Sequence, residues 1–367
     1  MNNTLYENEI SRKHKTEPNL YEALRKNRLF YLRIIFLRIS RTGLIGFVKD
    51  TANFFLALMS VLGFKFVSKP LYAQIEPTSR CNLRCRMCIS NTPGYERNDL
   101  SFIEFRQIID KLSSVICLNI QGNGEPLLND NIFRMINYAV QSGKAVFTCT
   151  NAMLLDDDKI QKILKTGLFE LGISMESTDK EKYEYIRRGS DFDKLVQNIS
   201  RLVELRDEIN PKLIVKLWVT IMNHNIEEIR DIIRFASDLG LDGIYFQQIQ
   251  NKYDYRANYS GNFYSDPESG LFFNRKSFIR EFEQFARELN VPINFTQRCF
   301  WPWMGFFINS KGFATPCCVI NDYKKYSTGN IFSDDLKKVW NHPSYRGLRV
   351  PVSVRRKLSC CEGCSFE

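Results

Sequence analysis

The chain has 367 residues, 44% of them hydrophobic and 25% charged, with 19 Gly and 12 Pro. This balance excludes a collagen-like, low-complexity or wholly disordered chain, and the length suffices for roughly two or three domains with a sizeable core. Lys and Arg exceed Asp and Glu by 51 to 41, and 11 Cys stand against 3 His, so thiolate chemistry is expected rather than a His-rich metal centre.

Residues 1–68 read as a basic, apolar helical extension, and the first 70 residues carry +7 of the total charge of +10. Met1–Asn19 lacks the apolar stretch of a secretory signal, so the cysteines are expected to be reduced thiols or metal ligands in a cytoplasmic protein. The run Leu29–Leu37 is interrupted by Arg33 and flanked by Arg28 and Arg38. A second apolar run, Thr51–Phe64, follows Lys49 and Asp50 and falls below the ~18–20 residues of a membrane span, so no transmembrane helix is expected. Basic and apolar residues together suit a helix lying on an anionic membrane surface, or one that caps the main domain with its Arg side chains solvated. No fingerprint of a nucleic-acid module is present.

From Pro70 the pattern alternates between strands and amphipathic helices. Strands are predicted at Leu71–Ile75, Val115–Ile120, Ala145–Thr150, Phe169–Ser174, Leu213–Ile221 and Gly243–Gln247. Helices are predicted at Phe102–Leu112, Asn131–Gln141, Asp157–Thr166, Asp193–Arg206 and Ile226–Leu239, with Gly143, Gly167 and Gly240 as their C-terminal stops. This repeat predicts a parallel α/β sheet; periodicity alone does not distinguish an open sheet from a barrel.

Cys81, Cys85 and Cys88 follow the first strand as C-x3-C-x2-C, which places three thiols where parallel α/β folds build active sites. A [4Fe–4S] cluster takes four thiolates, so three leave one iron open. A zinc knuckle with a distant fourth ligand is the bland alternative; it is disfavoured because structural zinc pairs its Cys and closes the fourth position.

The C-x3-C-x2-C loop resembles the signature of the radical S-adenosylmethionine (SAM) superfamily. The resemblance implies a partial (β/α)6 TIM-like barrel over residues 69–297, in which the cluster held by Cys81, Cys85 and Cys88 binds and cleaves SAM. Further segments match in family order. Met87 takes the position near the adenine. Gln121-Gly-Asn-Gly-Glu-Pro126 resembles the motif that receives the SAM amino group, with Gly124 and Glu125 carrying the match and Asn123 in place of a Gly. Thr150-Asn151-Ala152 resembles Thr-Asn-Gly, with Ala152 a departure. Ser174 is implied for the SAM ribose and Arg187 for its carboxylate, each with a plain structural role as the alternative. Asn225 fits either a place near the cofactor or an ordinary helix N-cap. Cys117 and Cys149, inside predicted strands, read as small buried hydrophobes.

Residues 298–367 resemble the SPASM or Twitch extension of that superfamily, through Cys299, Gly312, Cys317 and the closing Cys360-Cys361-Glu-Gly-Cys364. This implies one auxiliary [4Fe–4S] cluster on Cys299, Cys317, Cys361 and Cys364, with Cys318 and Cys360 as competitors. A fully ligated cluster suits an electron relay, so an oxidation is expected, aided by a donor such as a flavodoxin or ferredoxin. Peptide or protein maturation and dehydrogenation of a small polar metabolite fit this reading. A membrane-surface enzyme acting on a lipid or lipid-linked substrate, a non-catalytic iron–sulfur scaffold and a zinc protein are the rivals. The aromatic stretch Tyr253–Phe273 is long for a barrel connection and suits a substrate-covering loop.

Overall fold

The computed structural model describes residues 28–61, 68–91, 95–250, 276–295, 299–320, 322–350, 360–361 and 364. Tyr253–Phe273, read above as a covering loop, lies outside them. The chain divides into two compact units, Met1–Lys49 and Asp50–Glu367.

Helix α1 (Arg28–Val61) runs on through Lys49-Asp50, so these charges do not separate the second apolar run from the residues before it; its one non-helical residue is Gly43. The reason is conformational: Lys is a good helix former, whereas Gly43 sits at φ 67°. By length and composition the Gly43–Val61 segment is therefore long and apolar enough to cross a membrane, and little of it is buried. Leu44, Ile45, Val48 and Phe55 are exposed, whereas Arg38 is buried, unlike the solvated Arg of the capping alternative.

The second unit is built on strands β1 (Tyr72–Ile75), β2 (Cys117–Ile120), β3 (Ala145–Thr150), β4 (Glu170–Ser174), β5 (Ile214–Ile221) and β6 (Ile244–Gln248). Between them run α2 (Phe102–Lys111), α3 (Ile132–Gln141), α4 (Asp157–Lys165), α5 (Lys180–Ile186), α6 (Phe192–Ile209) and α7 (Ile229–Asp238). Capping chemistry sets their starts. Ser101 and Glu104 form a reciprocal capping box on α2, and Asp156, Asp179 and Asp191 each accept from a first-turn amide. Gly143, Gly167 and Gly240 all adopt positive φ after α3, α4 and α7, as their positions predicted.

The apolar spacing decides which faces pack. In β5, Val215, Leu217, Val219 and Ile221 are buried, while Lys216, Trp218 and Thr220 between them are only half-buried. Strands β1 to β6 pair in parallel in sequence order. Strand β7 (Ile293–Phe295) extends the sheet beside β6, and β8 (Gly305–Ile308) pairs in parallel with β1. Two antiparallel strands, β9 (Phe313–Thr315) and β10 (Gly329–Asn330), complete a ten-stranded sheet that runs from β10 to β7 without closing. The sheet is curved enough that residues of β1, β3, β4, β5, β6 and β8 line one cavity, as in a partial (β/α)6 barrel. The C-terminal segment continues the barrel sheet through the β8–β1 pairing. That pairing delivers Cys317 and Cys318, just after β9, to the cavity's side of the molecule.

Candidate functional site

The loop after β1 is held from several directions. Amides of Arg84 and Arg86 donate to the carbonyls of Arg188 and Ile186, and Asn91 Nδ2 donates to the Cys85 carbonyl at 2.7 Å. Arg80 reaches Asp99 and the Leu128 carbonyl. The Leu83 amide points at Cys81 Sγ across 3.4 Å. Cys81, Cys85 and Cys88 all line a cavity of about 310 Å³. Cys85 is the most deeply buried; burial pushes its thiol up to about 12, opposed by Arg187, whose Nη1 lies 3.9 Å from Cys85 Sγ. Metal loading displaces such protons. Among the described residues no three His, Cys, Asp or Glu groups converge closely enough to hold a single ion. Three thiols that line one cavity without converging on a single ion fit a larger group, such as an iron–sulfur cluster.

The Gly-rich turn follows from crowding. A Cβ on Gly124 would lie 2.3 Å from the Thr78 carbonyl oxygen and 2.5 Å from that of Arg80; one on Gly122 would strike the Glu76 side chain. Asn123 is tolerated between them, and its amide donates to Glu76 Oε1 at 2.9 Å. Glu125, beside Gly124, is buried and latches strand ends together. It accepts from Thr150 Oγ1 at 2.7 Å, the Asn151 amide at 2.8 Å and the Leu127 amide at 3.2 Å. Burial raises its carboxyl and these donors lower it, leaving a net upward shift. Asn151 Nδ2 donates to Asn82 Oδ1 at 2.9 Å and lies 3.9 Å from Cys81 Sγ. Ala152 adopts φ 62°, the left-handed shape that Gly would take without strain, so the turn survives the substitution.

Ser174 Oγ lies 3.0 Å from Cys149 Sγ. Arg187 pairs with Glu176, Nη2 to Oε1 at 2.7 Å, and both are buried. Met87, Gly124, Glu125, Asn151, Ser174 and Arg187 all line the cavity with the three thiols. Asn225 does not. Its side chain spans the carbonyls of Glu176 and Thr220 and the Met222 amide, and caps no helix; this corrects the N-cap reading. Cys149 and Glu176 are cavity residues that sequence reasoning left without a role. The alternation along β3 and the Ser-x-Glu end of β4 were the available signals.

Cys318 also lines this cavity, and with Cys299 it lines a neighbouring one. Burial pushes the Cys318 thiol up to about 12, with Cys364 and Cys299 adding to the rise. Cys317 and Cys299 both lie within electrostatic range of Tyr345, and Cys360 Sγ is 3.9 Å from Cys361 Sγ. Of the adjacent pair Cys317 and Cys318, Cys318 lines the two cavities.

Two family models match: that of the radical SAM superfamily over residues 75–236, and that of SPASM, an iron-sulfur cluster-binding domain, over residues 299–365. The antilisterial bacteriocin subtilosin biosynthesis protein AlbA of Bacillus subtilis is 24% identical over 303 residues, 81% of this chain and 65% of that protein. The chain thus spans about two thirds of AlbA's length. The AdoMet-dependent heme synthase of Methanosarcina barkeri is 24% identical over 315 residues, 78% of this chain and 87% of the synthase. Streptococcus suis SuiB bound to precursor peptide SuiA shares the fold, with a TM-score of 0.64 at 16% identity, covering 88% of this chain and 74% of SuiB.

Proposed function

From a chain that belongs to the radical SAM superfamily and carries a SPASM domain, binding [4Fe–4S] clusters and SAM, we propose an enzyme that oxidatively modifies a peptide or protein. When bound, these groups supply the electron that cleaves SAM, the 5′-deoxyadenosyl radical that takes a substrate hydrogen, and an acceptor for the electron left behind. One observation carries the reading: a single cavity is lined by Cys81, Cys85 and Cys88 together with Cys318.

The chain's own residues have distinct tasks in it. Cys81, Cys85 and Cys88 hold the SAM-binding cluster. Arg187, kept charged by Glu176, offers Nη1, the nitrogen beside Cys85 Sγ, to the SAM carboxylate, and Ser174 offers a hydroxyl to the ribose. Glu125 and Asn151 fix the strand ends at which the amino group is received. Met87 and Ile89 supply apolar surface. Cys299, Cys361, Cys364 and one of Cys317 and Cys318 hold the auxiliary cluster. A peptide substrate is favoured over a small polar metabolite because a bacteriocin biosynthesis protein and a peptide-bound structure are among the similar proteins.

The test is anaerobic reconstitution with iron and sulfide, then reduction with SAM and assay of 5′-deoxyadenosine. Product with about eight irons per chain, two [4Fe–4S] clusters, supports the proposal. Iron without product overturns it in favour of a scaffold, and a colourless zinc protein ends it.

A second reading rests on α1. Its exposed Leu44, Ile45, Val48 and Phe55, in a basic N-terminal stretch, suit contact with an anionic bilayer, which would place the enzyme at lipid-linked substrates. Co-sedimentation of the full chain with phosphatidylglycerol vesicles tests this. Ile45→Asp with Val48→Asp should release it, and unchanged binding refutes the reading.

A further inference from the structure

The turn between Cys299 and β8 is held by groups from elsewhere in the chain. It contains a helix of a single turn, Trp301–Met304, in which the Met304 amide donates to the Phe300 carbonyl and the Gly305 amide to that of Trp301. So short a helix leaves its remaining carbonyls without partners of its own. Each finds one outside. The Pro302 carbonyl accepts from Arg349 Nε at 2.8 Å, that of Trp303 from Ser68 Oγ at 3.4 Å and that of Met304 from the Leu71 amide at 2.8 Å. Tyr345 Oη lies within hydrogen-bond reach of two more, those of Trp301, at 3.1 Å, and Gly305.

Tyr345 and Arg349 work as one unit with Trp340. The Arg349 guanidinium lies 4.3 Å over the Trp340 ring and 5.1 Å over that of Tyr345, and its Nη2 donates to the Trp340 carbonyl at 2.8 Å. The two rings are 5.0 Å apart, both are buried, and Trp340 Nε1 donates to the Ser68 carbonyl at 2.6 Å. No carboxylate pairs with Arg349 among the described residues. Its guanidinium is occupied with carbonyls and ring faces instead. The unit thereby ties the turn to Ser68, just before β1, while β8 pairs with β1 itself. Tyr345 also lies within electrostatic range of Cys299 and Cys317.

Resting on the assignment of Cys299 to the auxiliary cluster, we infer that Tyr345 and Arg349 are positioning residues for that cluster. Neither lines the cavity shared by Cys81, Cys85 and Cys88. They act through the backbone of Trp301 and Pro302, two and three residues beyond Cys299. Groups that orient a ligand tune the affinity and the potential of the metal centre it holds. A turn fixed in this way keeps the Cys299 side chain with that of Cys318 on one cavity, where a slack turn would leave its place to the metal bonds alone.

The test uses the full chain in a Cys85→Ala background, reconstituted anaerobically so that its iron is that of the C-terminal cysteines. Tyr345→Phe keeps the ring and removes the hydroxyl, and Arg349→Met removes the donors while keeping an unbranched chain. Each should shift the midpoint potential and the electron paramagnetic resonance spectrum of the reduced auxiliary cluster. Each should also yield its iron at a concentration of ferrous chelator about tenfold lower than its parent does. Urea unfolding is followed in parallel. The inference is overturned if either variant keeps the parent's potential, spectrum and chelator resistance, whatever happens to its stability, because a merely structural pair would move stability alone. Cys299→Ala in the same background checks the ligand assignment separately: an unchanged spectrum there would refute that assignment, and the inference with it.

Discussion

Arg187 and Glu176 form an ion pair with both side chains out of water, and the guanidinium also reaches toward Cys85 Sγ. Removing one partner of such a pair leaves a bare charge in the core, which typically costs about 3–5 kcal/mol. Arg187→Ala is expected to lose stability of that order in urea unfolding, and Arg187→Met with Glu176→Met should recover most of it. A loss below about 1 kcal/mol for Arg187→Ala would show that the pair is not sequestered as described.

The three thiols on the cavity wall predict a selective loss. Cys85→Ala should reduce the iron of reconstituted protein from about eight to about four per chain and abolish 5′-deoxyadenosine formation. The iron held by the C-terminal cysteines should remain. Retained product would mean that Cys85 is not a ligand.

At the Gly-rich turn both glycines should be sensitive. A methyl on Gly124 meets two backbone carbonyls, and one on Gly122 meets the Cβ and Cγ of Glu76, a buried side chain whose carboxylate is held by Asn123 and Ser310. Gly124→Ala and Gly122→Ala should each destabilise the fold by about 1–3 kcal/mol or more. A neutral effect of either in thermal unfolding would contradict the geometry.

Ala152 offers the opposite sign. A left-handed Ala costs about 1–2 kcal/mol, and Gly gives back about 0.4–1 kcal/mol through the unfolded chain. Ala152→Gly should raise stability by up to about 1 kcal/mol. A destabilised variant would show that the methyl group's packing outweighs the backbone strain.

Acid should loosen one contact between the cysteine-loop side and the C-terminal segment. Lys311, with Tyr323 and Lys324, holds the Glu96 carboxyl down at about 2, against an ordinary value of 4.5. A lowered folded value stabilises the fold fully above the unfolded value, and this stability is lost as pH falls toward the folded one. Wild-type protein should therefore lose more stability between about pH 5 and pH 2 than Glu96→Gln. Because Glu96 is exposed, high salt should shrink the difference.

Much of the barrel was legible because local signals and packing agree. Apolar alternation marked β1 to β6 to within two residues, and Gly143, Gly167 and Gly240 marked helix ends through a backbone shape that other residues resist. Where Lys49-Asp50 was read as separating two apolar stretches, the reading failed, because charged residues interrupt apolarity without interrupting helical hydrogen bonding.

By itself the sequence determined the chemistry available: three thiols in eight residues, a Gly-rich turn, polar residues at strand ends and a second set of cysteines at the C-terminus. Only the tertiary structure decided which of these meet. The β8–β1 pairing joins residues more than 230 positions apart and brings Cys318 to a cavity shared with Cys81, Cys85 and Cys88. Curvature of the sheet then brings Asn119, Gln121 and Trp218, from separate strands or their ends, to the lining of one cavity. Spacing along a chain records which groups lie on one strand or helix; what faces what across a sheet depends on strand order and twist, and these are settled by packing of the whole.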